Sequence, residues 1–164
     1  MKKYIGVKVV EAEPMTLGEF NEGMSRETVS GYEDSPGNRV IYEDGYVSWS
    51  PEEAFKAYRP CDAMTFGLAI EAMKKGHKVA RAGWNGKGMF IVYMPPLYLP
   101  PYATNDTARK VNDRTAKWIG EDTPLDSQGY IAMLTATKQW QPGWLASQAD
   151  ILSNDWQIVP EVKS

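Results

Sequence analysis

The stretch from Pro142 to Trp156, reading P-G-W-L-A-S-Q-A-D-I-L-S-N-D-W, constrains the chain more than any other. Two tryptophans bracket a run of small and polar side chains: Ser147, Gln148, Asp150, Ser153, Asn154 and Asp155. Leu145, Ala149 and Leu152 fall at helical spacing, which predicts a short helix with that side against a core. Ser147 is an N-cap residue, and Asp150 three positions on closes a capping box with Asp in the usual place of Glu. Two readings compete for the stretch: a capped helix whose indoles fill the core, or part of a binding site. Related chemistry upstream, in Arg81-Ala-Gly-Trp84-Asn85-Gly86-Lys87-Gly88, favours the second.

A chain of 164 residues, 43% hydrophobic, is long enough for one sizeable core plus a small appended module. Residues 1–60 hold seven Lys/Arg against eleven Asp/Glu, and residues 61–164 hold eleven against ten. Neither half has the basic field that DNA or RNA binding requires, whereas a small anionic ligand held by a few donors is compatible with both. The longest apolar run, Met89 to Leu99, is too short to span a bilayer and is broken by prolines, and the N-terminus lacks the pattern of a signal peptide. A lone cysteine, Cys61, fits a reducing cytoplasm and reads as an inert thiol in a linker. With one His and one Cys no zinc-type ligand spacing exists, and no cofactor or metal is expected. His77 reads as a solvated partner to a helix C-terminus.

In chain order, residues 4–15 read as a strand ended by Pro14, Thr16 caps a single helical turn, and residues 21–38 form an exposed acidic loop. Val40 to Trp49 is a hairpin turning at Asp44-Gly45. Ser50-Pro51-Glu52-Glu53 predicts a capped helix running to Tyr58 that buries Ala54, Phe55 and Tyr58. A second domain opens at Thr65 with a helix carrying Phe66, Ala69, Ile70 and Met73 inward and ending at Gly76. Residues 78–82 alternate as a strand, Gly83 to Gly88 turn, and Met89 to Met94 form a strand apolar on both faces that needs cover on each, from its own fold or a partner chain. Pro95 to Pro101 reads as an extended connector. A helix capped at Asn105-Asp106 reaches Ile119 with Ala108, Val111, Thr115, Trp118 and Ile119 along one side. Tyr130 to Thr137 alternates as a strand, Gln139 to Trp144 pairs with it, and Trp156 to Val159 completes the sheet.

These elements predict an α+β protein. A small N-terminal β-hairpin-helix module, residues 1–60, precedes a mostly antiparallel sheet of about five strands packed with two or three helices over residues 64–160. For chemistry, the Trp84–Gly88 turn offers an indole to stack on a base, an amide to read its edge, and glycines that admit phosphate oxygens to the backbone. Arg81 adds a charge-assisted donor. The glycines lead into a strand rather than a helix, so this is neither a dinucleotide fingerprint nor a Walker loop. No nucleophile elbow, Cys/His pair or apolar-embedded carboxylate pair marks an enzyme.

Met64-Thr-Phe-Gly-Leu-Ala-Ile-Glu-Ala-Met-Lys-Lys-Gly76 followed by Val79-Ala-Arg-Ala-Gly-Trp-Asn-Gly-Lys-Gly-Met-Phe90 resembles the opening of the phage Thoeris anti-defence family of the second type. Trp144 to Val159 is similar to that family's closing motif, and the likeness covers about residues 64–160. The Gln139 to Gly143 segment departs from the family's usual hairpin, and residues 1–60 look like a module of other phage proteins.

The resemblance implies a non-catalytic sponge for cyclic ADP-ribose-type signals, some members also holding cyclic oligonucleotides. It further implies a homo-oligomer, dimer or tetramer, with pockets at subunit interfaces, acting in the host cytoplasm. Carried over by motif, the pocket residues are Arg81, Trp84, Asn85, Trp144, Ser147, Gln148 and Asp150. Thr135 and Thr137 are added because they share a predicted strand face. An enzyme that degrades the same signal and a ligand-free interaction module are the rival expectations.

Overall fold

The structure, a computed structural model, describes residues 2, 7–105 and 109–160, and it divides into two compact units, Met1–Met64 and Thr65–Ser164.

In the first unit β1 (Val10–Pro14), β2 (Gly37–Tyr42) and β3 (Val47–Pro51) form an antiparallel sheet in the order β1-β2-β3. Of the strand predicted over 4–15, residues 4–6 lie outside the described residues, and pairing begins at Val10 opposite Tyr42. Between β1 and β2, α1 (Leu17–Gly23) starts at Thr16, whose hydroxyl accepts from the Glu19 N–H while the Glu19 carboxylate accepts from the Thr16 N–H. The helix continues past the predicted single turn and takes the first residues of the predicted loop. The β2–β3 hairpin turns at Gly45, whose φ of +81° is the left-handed backbone that the Asp-Gly pair supplies. Phe20 and Val40 are buried at the centre.

The helix expected from Ser50 to Tyr58 is shorter, α2 (Glu52–Phe55), and the cap differs. Ser50 is held in the ladder opposite Asn38, so Pro51 occupies the cap position and no side chain caps the helix. A helix this short has no buried face: Ala54 is exposed, while Phe55 and Tyr58 are half-buried with ring centroids 5.1 Å apart.

In the second unit α3 (Phe66–Lys74) is capped by Thr65, whose Oγ1 accepts from the Leu68 N–H, and buries Ala69, Ala72 and Met73. Five antiparallel strands follow: β4 (Val79–Arg81), β5 (Phe90–Met94), β8 (Tyr130–Leu134), β9 (Trp140–Pro142) and β10 (Trp156–Ile158), in the order β10-β4-β5-β8-β9. Registers Trp156↔Arg81, Ile158↔Val79↔Ile91 and Ile91↔Met133 put these side chains on one face, because directly opposed residues share a face. That face is the core: Trp156, Val79 and Ile91 are fully buried there beside α3. The other face holds Ala80, Phe90, Val92, Ala132 and Leu134, with Tyr130 and Trp140 exposed.

Three details differ from expectation. Pro95 to Pro101 is not a bare connector, since β6 (Leu97–Leu99) pairs with β7 (Leu125–Ser127) in a two-stranded ribbon. The helix expected from Asn105-Asp106 is α4 (Asp113–Ile119), capped by Asn112, whose Oδ1 accepts from the Thr115 N–H at 2.8 Å. Asp106 and Ala108 lie outside the described residues, while buried Val111 is tied to the Pro100 carbonyl ahead of the helix, and Trp118 is exposed. Finally, β8 stops at Leu134 instead of Thr137. The Thr135 N–H donates to the Gln139 carbonyl and the Lys138 N–H to the Thr135 carbonyl, closing a hairpin loop into β9.

Candidate functional site

At the end of the sheet where β4 finishes and β10 begins, the two motifs of the sequence meet. Helix α5 (Gln148–Ile151) begins at Ser147 with the predicted capping box: Ser147 Oγ accepts from the Asp150 N–H, and Asp150 Oδ2 accepts from the Ser147 N–H. That leaves Asp150 Oδ1 pointing inward. It accepts from Arg81 Nη1 at 3.0 Å and from the Trp84 indole N–H at 3.2 Å. Arg81 is closed from its other edge by Asp155, with Nε 2.8 Å from Oδ1, and the Gly83 N–H donates to Asp155 Oδ2 at 2.9 Å. The Asp150 carbonyl accepts from the Trp156 indole and the Ser153 hydroxyl, both at 2.9 Å.

Around this polar knot four rings pack edge to face or tilted. Trp84 lies 5.9 Å from Trp144 and 5.4 Å from Trp156, and Phe66 lies 5.2 Å from Trp156, centroid to centroid. Only Trp156 is fully buried, and Trp84 and Trp144 each keep part of the ring open to solvent. The edge-to-face pairs among the three indoles set the positive edge of one ring against the negative face of another.

The charges follow from the geometry. Burial would raise the Asp150 carboxyl, but hydrogen bonds from Ser147, Arg81 and Trp84 outweigh it and bring its pKa down to about 2. The Arg81 guanidinium likewise holds Asp155 below the ordinary carboxylate value, and the two carboxylates in turn raise Arg81. Both acids are therefore ionised at neutral pH, and three of the five Arg81 N–H donors are committed to them.

Of the nine residues singled out in the sequence, Arg81, Trp84, Trp144, Ser147 and Asp150 form this cluster. Asn85 and Gln148 are exposed at its edge. Thr135 and Thr137 are not on a strand face. They sit in the β8–β9 loop with their hydroxyl oxygens 3.0 Å apart. The core stripe predicted for α5 is the solvent side instead: Leu145 is 89% exposed and Leu152 72%, while Asp150 faces inward. A helix of four residues has no room for both a core stripe and a carboxylate anchor, and the ion pair with Arg81 decides its rotation. Sequence reasoning missed Asp155 and Ser153 as frame members. Their partners are 74 residues away (Arg81) and three residues away (Asp150), and only folding joins the first pair. Among the described residues no cluster of three or more His, Cys, Asp or Glu could hold a metal, and no helix is long and apolar enough to cross a membrane. A surface depression of about 540 Å³ beside Tyr102, Lys110 and Asn112 contains none of the predicted residues.

The unit that carries this antiparallel α+β fold and its Arg–Asp–Trp cluster falls in the class of Thoeris anti-defense 2-like domains, whose family model matches residues 64–159. That is more than half of the chain, and the chain belongs to this phage anti-Thoeris family. Among individual proteins it is similar to Thoeris anti-defense 2 of Bacillus phage SP01. The two are 33% identical over 96 residues, which cover 58% of this chain and 94% of that protein.

Proposed function

We propose that residues 64–160 capture a cyclic ADP-ribose-type immune signal, or a cyclic oligonucleotide of the same kind, in the cytoplasm of the infected host, and withhold it without cleaving it. The observation that carries this reading is the convergence of Trp84 and Trp144, from opposite ends of the family match, on one half-open aromatic cluster with Asn85 and Gln148 at its edge. Arg81, Ser147 and Asp150 hold the frame, and the exposed indole surfaces and the two amides meet the guest. Stacking on indoles is worth roughly 1–3 kcal/mol per base, and a rigid platform loses little entropy on binding.

Capture without cleavage agrees with the acids present. Asp150 is held ionised by Ser147 and Arg81 and Asp155 by Arg81, so neither fits the role of a general acid at neutral pH, which needs a raised pKa. A second copy of the chain would seat on Leu145, Ile151 and Leu152, exposed beside the cluster, and thereby cover its open side.

Incubation with cyclic ADP-ribose, heat denaturation and chromatography of the released ligand tests the reading. A sponge of nanomolar affinity, about −12 kcal/mol, raises the melting temperature and returns the ligand intact. Recovery of a hydrolysed product would make the protein an enzyme, and no thermal shift with any cyclic nucleotide would leave the ligand-free interaction module.

A further inference from the structure

Arg81 is the obvious candidate for a ligand phosphate, yet two carboxylates already take three of its five N–H donors and neutralise its charge, and the adjacent Gly83 N–H is taken by Asp155. Unused donors lie further along. Among the described residues the N–H groups of Asn85, Gly86, Lys87 and Gly88 make no backbone hydrogen bond. This loop is pressed against the β8–β9 hairpin: a Cβ on Gly86 would fall 3.1 Å from the Ala136 Cβ, and one on Gly88, at φ +68°, would fall 2.6 Å from Lys138 Nζ.

The hairpin loop Ala136-Thr137-Lys138 ends in a left-handed residue, Lys138, at φ +64°. A three-residue hairpin loop favours glycine at that place, and an L side chain there is strained. The lysine set there lays its ammonium over the glycine loop, donating to the Gly88 carbonyl at 3.4 Å, and exposed Lys87 is the residue just before that glycine. Neither ammonium has a carboxylate at ion-pair distance among the described residues. Thr135 and Thr137 brace the turn: Thr135 Oγ1 donates to the Gln139 carbonyl and Thr137 Oγ1 to Gln139 Oε1.

We propose that the interlocked turns 84–89 and 135–139 form an anion subsite that takes a phosphate of the captured nucleotide between Lys87, Lys138 and the free N–H groups of the glycine loop. The inference rests on the capture reading above and adds to it where the ligand's charge is met. An ammonium on the glycine loop with a second lysine in the same loop suits a phosphate or pyrophosphate, bound in a salt-dependent way.

Lys138→Gly is the decisive variant, since it restores the residue the turn prefers and keeps the fold intact. Calorimetry with cyclic ADP-ribose at two salt concentrations, alongside melting curves, is expected to give a protein that melts no lower than the parent. Its affinity should be about tenfold weaker and its salt dependence shallower, with Lys87→Gln adding to both effects. If the parent binds and the variants match it in affinity and salt slope, the subsite is refuted while capture stands. If the parent itself binds no cyclic nucleotide, the capture reading fails and takes the subsite with it.

Discussion

Asp150 does the most with the fewest atoms. One oxygen closes the capping box of α5, the other joins Arg81 and Trp84, and its carbonyl holds the Trp156 indole. Its side chain is only 12% exposed, so the pairing is weakly screened. With a folded pKa of about 2 against an ordinary 3.8, its ionisation contributes about 2 kcal/mol. A depressed carboxylate pKa stabilises fully above the unfolded value and loses that contribution as pH falls through the folded one. Urea midpoints of the protein should therefore decline between pH 4 and pH 2, and Asp150→Asn should flatten that decline while lowering the midpoint at neutral pH. An unchanged pH profile in the variant would show that the knot does not stabilise the fold. The same geometry changes what truncating Trp84 reports. Its ring packs on two other indoles, so Trp84→Ala perturbs the core as well as any ligand surface.

Among the elements, α5 depends most on its cap. Four residues make barely one turn, and helices this short do not persist on propensity. Ser147→Ala removes the acceptor for the Asp150 N–H and the hydroxyl donor to Asp150 Oδ2, and is expected to cost about 1–2 kcal/mol in chemical denaturation. A loss below about 0.3 kcal/mol would mean that the ion pair alone orients the helix. The cap at Thr16 and the capping box at Ser147 were legible because they are local, three residues from donor to acceptor, while the return bond from Glu19 that completes a box at Thr16 came only with the structure. The inward side of α5 was not, because Leu145, Ala149 and Leu152 mimic a core stripe, and only the Arg81 partner 69 residues away turns the helix over. The same limit explains α4. Helical spacing extends upstream of Asn112, and a tertiary hydrogen bond from the Val111 N–H to Pro100 sets where the helix begins.

For the whole molecule, the family match begins at residue 64, so the unit Met1–Met64, with its own three-stranded sheet and a core around Phe20 and Val40, lies almost entirely outside it. In the second unit the apolar side chains left in solvent bear on assembly. Leu145 and Leu152, at 89% and 72% exposure, stand beside the aromatic cluster, and Trp140, at 51%, stands on the sheet face opposite α3. Analytical ultracentrifugation of the full chain is expected to show a dimer or tetramer, and Leu145→Glu with Leu152→Glu should shift it toward monomer without lowering its melting temperature by more than a few degrees. A parent that sediments as a monomer would leave those leucines without the proposed role.

Sequence alone determined the α+β class, the hairpin at Asp44-Gly45, the cap at Thr16, the capping box at Ser147 and the family, because turn chemistry, caps and motif matches act over a few residues or as fixed strings. Tertiary structure alone decided which of the marked residues have free valences. Arg81 reads as a phosphate donor until two aspartates 69 and 74 positions away take three of its five donors and balance its charge. Lys138, which nothing in the sequence marks, is set over the glycine loop by a left-handed turn. Hydrogen-bonding capacity is finite, and what a side chain can offer a ligand is what remains after the fold has taken its share.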